Sequence, residues 1–212
     1  APLQLTPPTT RRARRHAGVI LSVAVLALLC AAALLADVLS PHRPEAINLR
    51  VRLTAPLTLP EHPLGTDATG RDILSRILHG GRVSLMVGLL ATAVGLALGT
   101  LLGIISGYFR GWTDEIIMYL VDVQFALPFV LLAVAVALVL GRSLAVLIGL
   151  AALSTWSLYA RVIRGEVLSL REREFVIAAR SLGAGDAYIM FHHLLPNLAG
   201  PLLVLGTLSI GR

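Results

Sequence analysis

The chain is predicted to be an all-α, polytopic membrane protein, and three observations carry that prediction. Apolar residues make up 56% of its 212 residues and charged ones only 14%, against roughly 25% charged in a soluble domain. Four long stretches carry no formal charge: Ala17–Ala36, Val83–Phe109, Val123–Gly141 and Ser143–Ala160. A helix rises about 1.5 Å per residue, so about 20 residues cross a hydrocarbon core of about 30 Å. All 18 basic residues are arginine, and they flank these stretches, as charge does at membrane boundaries.

Residues 1–16 hold Arg11, Arg12, Arg14 and Arg15 and are predicted to form a cytosolic basic tail, by the positive-inside rule. Residues 17–36 follow as a transmembrane anchor. A cleaved signal has an apolar region of about 7–15 residues, and this one is longer. Leu28-Leu29-Cys30 resembles a lipoprotein site, but Leu29 is not the small residue such a site needs. Cys30 is the single cysteine, so no internal disulfide forms.

Residues 37–82 are expected outside the membrane. Pro41, Pro44, Pro56, Pro60 and Pro63 break helices and favour extended backbone, so 41–66 reads as an external linker. Beyond it, Asp67 or Thr69 is expected to cap a short interfacial helix with Ile73, Leu74, Ile77 and Leu78 on one face. The run from Gly65 to Asp72 has neither the acidic ligands of a calcium loop nor the Gly-Lys-Ser/Thr ending of a phosphate loop. It reads as turn and cap chemistry.

Residues 83–212 form the main membrane domain. Gly95, Gly99, Gly103 and Gly107 recur at four-residue intervals, with Ala91 extending the series, and predict a smooth ridge for close helix packing. Pro128 lies inside the third stretch and is expected to kink it, as a static bend or a hinge. Asp122 is expected at the cytosolic interface. Four crossings return the chain to the side of its N-terminus, where Arg161, Arg164, Arg171, Arg173 and Arg180 form a second basic cluster. Arg43, Arg50, Arg52, Arg71, Arg76 and Arg82 pull the other way, but the rule weakens over long external segments. A fifth apolar stretch, Leu198–Gly211, is too short to span.

The polar segment 161–197 has no place in a bilayer core. Glu166–Leu182 reads as mostly helical, with Phe175, Ala179 and Leu182 on one face. Gly183 can end it in a left-handed conformation, Gly185 adds a turn, and Asp186 is expected to cap a second helix through Tyr188–Leu195. His192 and His193 are adjacent, so on a helix they diverge by about 100° and cannot chelate one ion. No serine elbow, carboxylate dyad or metal-ligating pattern is present, which predicts no catalytic residue and no metal site. No basic stripe interleaved with aromatics points to nucleic acid.

Four strings carry a family resemblance: HPLGTDATGRDILSRILHGGRVSL (62–85), VDVQFALPFVLLAVAVALVLG (121–141), SLREREFVIAARSLGAG (169–185) and HHLLPN (192–197). From about Pro41 onward the chain resembles the dipeptide/oligopeptide/nickel permeases of ATP-binding-cassette importers, and within them the second subunit of the permease pair. The resemblance implies a bacterial inner-membrane, multi-pass subunit with its N-terminus in the cytosol. It also implies a loop, carried by Ala178, Ala179, Arg180, Gly183, Gly185, Pro196 and Asn197, that docks onto an ATPase. The family's loop opens with Glu before its two alanines, and this chain has Ile177 there. Family members continue with a further span, so the chain is expected to be truncated.

The partners so implied are a second permease subunit, two ATPase subunits, an external substrate-binding protein and the lipid bilayer. ATP and magnesium would bind in the ATPases and not in this chain. Short peptides are the expected cargo, with nickel or a chelated metal as the alternative within the family. An ATP-independent secondary transporter or channel is the alternative from another class, although such proteins tend to place paired ionisable residues at mid-membrane.

Overall fold

The structure, a computed structural model, describes residues 9–141 and 143–210. It is helical, and among the described residues only two isolated bridges, Leu59 with His62 and Thr66 with Asp72, have strand character. The helices are α1 (Thr9–Leu34), α2 (Ala36–Leu39), α3 (Ile73–Phe109), α4 (Gly111–Ala126), α5 (Phe129–Leu140), α6 (Leu144–Leu170), α7 (Glu174–Ser181), α8 (Asp186–Tyr188), α9 (Leu195–Asn197) and α10 (Ala199–Ile210). Two of them, α3 and α6, are each long and apolar enough to cross a bilayer, and two bent pairs raise the number to four. The apolar part of α1, Gly18–Leu34, is shorter. The chain divides into two compact units, Ala1–Leu85 and Met86–Arg212.

In the first unit, α1 is followed by the short helix α2, and Ala33 and Ala36 are buried. Asp37 on α2 pairs with Arg82 at 2.8 Å and with His79 at 3.2 Å. The proline-rich segment differs from the extended linker expected for it. It folds back on itself, with Leu53 N donating to Asp67 O, Thr66 N to Thr54 O and Leu57 N to Pro63 O. Proline removes amide donors, so the remaining amides pair across the segment rather than in a local helix.

The capping residue of α3 also differs from expectation. Ser75 N donates to the Asp72 carboxylate at 2.7 Å, which makes Asp72 the N-cap. Asp67 instead closes the preceding turn, accepting from Thr69 N, Thr69 Oγ1 and Arg71 N. Donation from Thr69 and Arg71 holds its carboxyl well below the usual carboxylate range. No separate interfacial helix precedes the second span, because Ile73–Phe109 is one continuous 37-residue helix. Neither Gly80 nor Gly81 interrupts it, and hydrogen bonding along the backbone carries the helix through both.

In the second unit the glycine stripe of α3 lies against α6. A Cβ built on Gly99 would sit 2.5 Å from Trp156 O, one on Gly103 2.7 Å from Ala160 O, and one on Gly107 2.9 Å from Val167 Cβ. Gly95 faces Thr155 and Ala152 in the same way. Each step of four along α3 advances the contact by about one turn along α6, so the two helices run parallel. They bring their C-terminal ends to the same end of the unit.

A parallel pair requires the chain between to return, and α4 and α5 make that return as two helices bent by 90°. This corrects the expectation of a single kinked span over Val123–Gly141. Leu127 (φ −82°, ψ 131°) and Pro128 (ψ 103°) are extended, forming a corner. Proline disfavours helical backbone in the residue before it and donates no hydrogen bond. The helix also begins twelve residues before Val123, because Asp114 and Asp122 are neutralised by Arg164 and Arg161 from α6. A charge-free run therefore underestimates its length. Gln124 ties α4 to α6, accepting from Trp156 Nε1 at 2.8 Å and donating to Leu153 O.

Candidate functional site

At the end of the unit where α3 and α6 both finish, the chain forms a polar platform over 171–197. Its first feature is a break that the sequence does not mark. No glycine or proline lies between Glu166 and Leu182, yet α6 stops at Leu170 and α7 begins at Glu174. Leu170 and Val176 are both buried in one cluster with Ile104, Tyr108, Ile163, Val167, Ile189, Leu194 and Leu198. Six helical residues rotate a side chain by about 600°, leaving the two about 120° apart on a straight helix. Only a turn lets both reach the same core.

That turn is held by arginines. Arg171 Nη1 donates to Tyr108 O at 2.6 Å, satisfying a carbonyl at the end of α3 that has no intrahelical donor. Arg164 grips Asp114 through two bonds of 2.5 Å, and Ser106 Oγ donates to the same carboxylate. Arg180 lies over the Tyr108 ring at 5.3 Å, and Tyr108 Oη donates to Asp186 Oδ1 at 2.5 Å. Tyr108 thus joins both arms of the platform to α3. Of the arginines grouped in the sequence as a topological signal, Arg161, Arg164, Arg171 and Arg180 are engaged within the fold.

The opposite face of the platform is bare. Val176 is 1% exposed, whereas Ile177 is 55% and Leu182 89% exposed. Leu182 therefore does not share the packed face with Phe175 and Ala179, which are partly buried against the core. Ala178, Arg180, Gly183 and Gly185 are also exposed. Gly183 has φ +84°, and a Cβ there would meet no atom of the chain within 4 Å. The glycine is required by the backbone conformation, and what surrounds it is open space.

Gly185, not Asp186, occupies the cap position of the following helix, and no side chain caps it. The Asp186 carboxylate is instead taken by Tyr108. Beyond Tyr188 the backbone widens into π geometry over Ile189–Leu194, then enters α9 at Leu195 with Pro196 exposed. Asn197 Nδ2 donates to His193 O at 2.7 Å. His192 stacks on Tyr188 at 4.4 Å and His193 meets it edge-on at 5.5 Å. The segment then bends by 61° into α10. Sequence reasoning missed Tyr108 and Asp114, and gave Asp186 a capping role instead of its bond to Tyr108, because their partners lie 50–78 residues away.

A helical domain with two parallel helices long and apolar enough to span, a bent return and a pinned polar platform at one end defines a polytopic helical membrane protein. Residues 99–212 match the family described as binding-protein-dependent transport system inner membrane component, and residues 9–56 match the N-terminal transmembrane domain of oligopeptide transport permease C. The chain belongs to the first of these families, the permeases of ATP-binding-cassette importers.

It is 40% identical over 199 residues to the glutathione transport system permease protein GsiD of Pectobacterium atrosepticum, covering 93% of this chain and 65% of that protein. It is 38% identical over 179 residues to the dipeptide transport system permease protein DppC of Alkalihalophilus pseudofirmus, covering 84% and 58%. The GsiD protein of Escherichia coli O157:H7 is 39% identical over 201 residues, covering 95% and 66%. The chain thus spans between 58% and 66% of the length of these relatives.

Proposed function

We propose that this chain is the permease subunit of an ATP-driven importer of short peptides, and that residues 161–197 are where it meets an ATPase. One observation carries the docking role. The face bearing Ile177, Ala178, Leu182 and Gly183 is exposed, while the base beneath it is fixed to α3 and α4 by Arg164, Arg171 and Tyr108. An exposed apolar edge on a rigid support is a surface built to meet a partner. Force applied to it is passed to the helix ends rather than absorbed by a flexible loop.

In this reading the assembly contains a second permease subunit, two ATPase subunits that hold ATP and magnesium, and an external binding protein. The N-terminus lies in the cytosol, on the same side as the platform. Closure of the ATPases moves the platforms as rigid bodies, and the spans alternate between outward and inward openings. ATP drives this because it binds one state better than the other. The Pro128 corner serves as the hinge, since extended residues between two helices can take up rotation without breaking helical hydrogen bonds. The relatives named for glutathione and a dipeptide support short peptides over chelated metal as cargo.

The test is Gly183→Leu in the complete permease, co-expressed with its ATPases, with Gly183→Asn as control because asparagine tolerates positive φ. Gly183→Leu is expected to insert normally and lose ATPase co-purification, while Gly183→Asn retains it. Undiminished ATPase association and uptake in Gly183→Leu would remove the docking role. Uptake by vesicles holding the permease with no ATPase would favour the secondary-transporter alternative. A reporter fused after Gly185 is expected to be cytosolic.

A further inference from the structure

The first unit contains a group of side chains that neither the transport reading nor the turn chemistry of 65–72 accounts for. His42, His62 and Asp72 each present one ligand atom, and these atoms lie within 4.8 Å of one another. They come from three places in the chain: the segment after α2, the turn after Glu61, and the first residues before α3. His62 is 6% and Asp72 2% exposed. His42 is half-buried beside them, so folding has brought two imidazoles and a carboxylate together with two of the three side chains shielded from water.

Their hydrogen bonding is incomplete in a specific way. Asp72 Oδ2 accepts from Ser75 N at 2.7 Å and Ser75 Oγ at 2.6 Å. Its other oxygen, Oδ1, faces His62 Nδ1 at 3.0 Å. The His42 ring stacks on His62 with centroids 4.5 Å apart, and its Nδ1 is buried with no hydrogen-bond partner. A buried nitrogen left unpaired is destabilising, so its persistence beside a carboxylate and a second imidazole asks for a ligand. Ser75 fixes two of the three groups: its hydroxyl orients Asp72 and accepts from His42 N at 3.2 Å.

We propose that His42, His62 and Asp72 bind a divalent transition-metal cation of the zinc class, independently of the transport reading. Two imidazole nitrogens and one carboxylate oxygen are a ligand set such ions favour, with a fourth position left for water. Bonds of about 2.1 Å in tetrahedral geometry set neighbouring donors about 3.4 Å apart. The His62–Asp72 edge, 3.0 Å, must open by a small shift of the His62 ring, and the longest edge must close by rotation of the His42 ring. The proton on His62 Nδ1 moves to Nε2 as the metal takes its place. Ser75 acts as the outer partner that holds the carboxylate. The bound ion clamps the segment after α2 to the start of α3.

The experiment uses the natural full-length chain, tag-free in detergent, titrated with Zn²⁺ by calorimetry and with Co²⁺ by visible absorbance. One Zn²⁺ per chain is expected, with Co²⁺ giving the visible bands of a four-coordinate site and Zn²⁺ raising the thermal midpoint. His42→Phe keeps the stacked ring, loses no hydrogen bond from the ring nitrogen and is expected to weaken binding at least about tenfold. If that variant does not fold, His42→Asn serves the same purpose. Variants of His192 and His193 are expected to bind as the parent does. The proposal is overturned if the parent chain binds no Zn²⁺ tighter than roughly 100 µM, if removal of the His42 ring nitrogen leaves affinity unchanged, or if the binding follows His192 and His193.

Discussion

The contact between α3 and α6 and the base of the platform lie on the same two helices, yet they are held by opposite physics. Along the stripe from Gly95 to Gly103, among the described residues, no side-chain hydrogen bond joins the two sides. The helices meet because the glycines leave no side chain between the backbones, and dispersion over that surface supplies the attraction where lipid offers no hydrophobic gain. One turn further on, Tyr108, Asp114, Arg164, Arg171 and Asp186 are joined by directed, charge-assisted bonds. The first region tolerates no added volume, and the second tolerates volume but not the loss of a partner. Added bulk and deleted partners should therefore have different consequences in the two places.

The largest effect is expected at the stripe. Gly103→Leu places a side chain where even a Cβ would be 2.7 Å from Ala160 O, so the helices must separate. Gly103→Ala alone is expected to cost about 1–3 kcal/mol, and the leucine variant to lose the monodisperse peak in detergent chromatography. Recovery of stable, parent-like Gly103→Leu would mean that α3 and α6 are not in contact in the folded protein.

Next is Asp114→Ala, which leaves Arg164 without its carboxylate. A fully buried orphan costs about 3–5 kcal/mol, but Arg164 is 31% exposed at its side chain, so about 1–3 kcal/mol is expected once solvent screening is counted. The measurement is the thermal midpoint of Asp114→Ala, Arg164→Ala and the double variant. The double variant should be more stable than the sum of the singles predicts, and strict additivity would show that the pair does not interact.

Tyr108→Phe removes one hydrogen bond and keeps the ring under Arg180. A loss of about 1 kcal/mol should raise amide exchange over residues 183–188 about fivefold while leaving the spans unaffected. Exchange rising across α6 as well would make Tyr108 part of the general core instead of the pin of one arm. The smallest structural effect is expected from Leu182→Ser, within about 0.5 kcal/mol, because that side chain is 89% exposed. ATPase association should fall in the same variant. A thermal midpoint falling by several degrees would indicate that Leu182 packs within the fold.

Much of this was legible in the residues, and the exceptions have a common cause. Charge-free length revealed spanning helices in α3 and α6 because desolvating a charge in hydrocarbon is costly enough to keep such runs clean. The same criterion placed the start of α4 twelve residues late, since Asp114 and Asp122 are neutralised by arginines far away in sequence. The break at 171–173 had no local mark. A helix continued through Leu182 would put it on the face of Phe175 and Ala179, but α7 ends at Ser181 and Leu182 is its C-cap residue, turned out into the open. Residues 65–72 read correctly as turn chemistry for Asp67, but the spacing gave no hint that His42 would stack on His62.

By itself the sequence determined what each residue must do on account of its own chemistry. It set which stretches can lie in a bilayer, where proline ends a helix, and where glycine accepts a left-handed turn or a close neighbour. These follow from solvation and backbone sterics, which act over a few residues. The tertiary structure alone decided which partners satisfy the charges, where the unmarked break falls, which face of α7 is left bare, and that two histidines and an aspartate share one buried corner. Such pairings depend on distances across dozens of residues, and those exist only after the backbone has closed on itself.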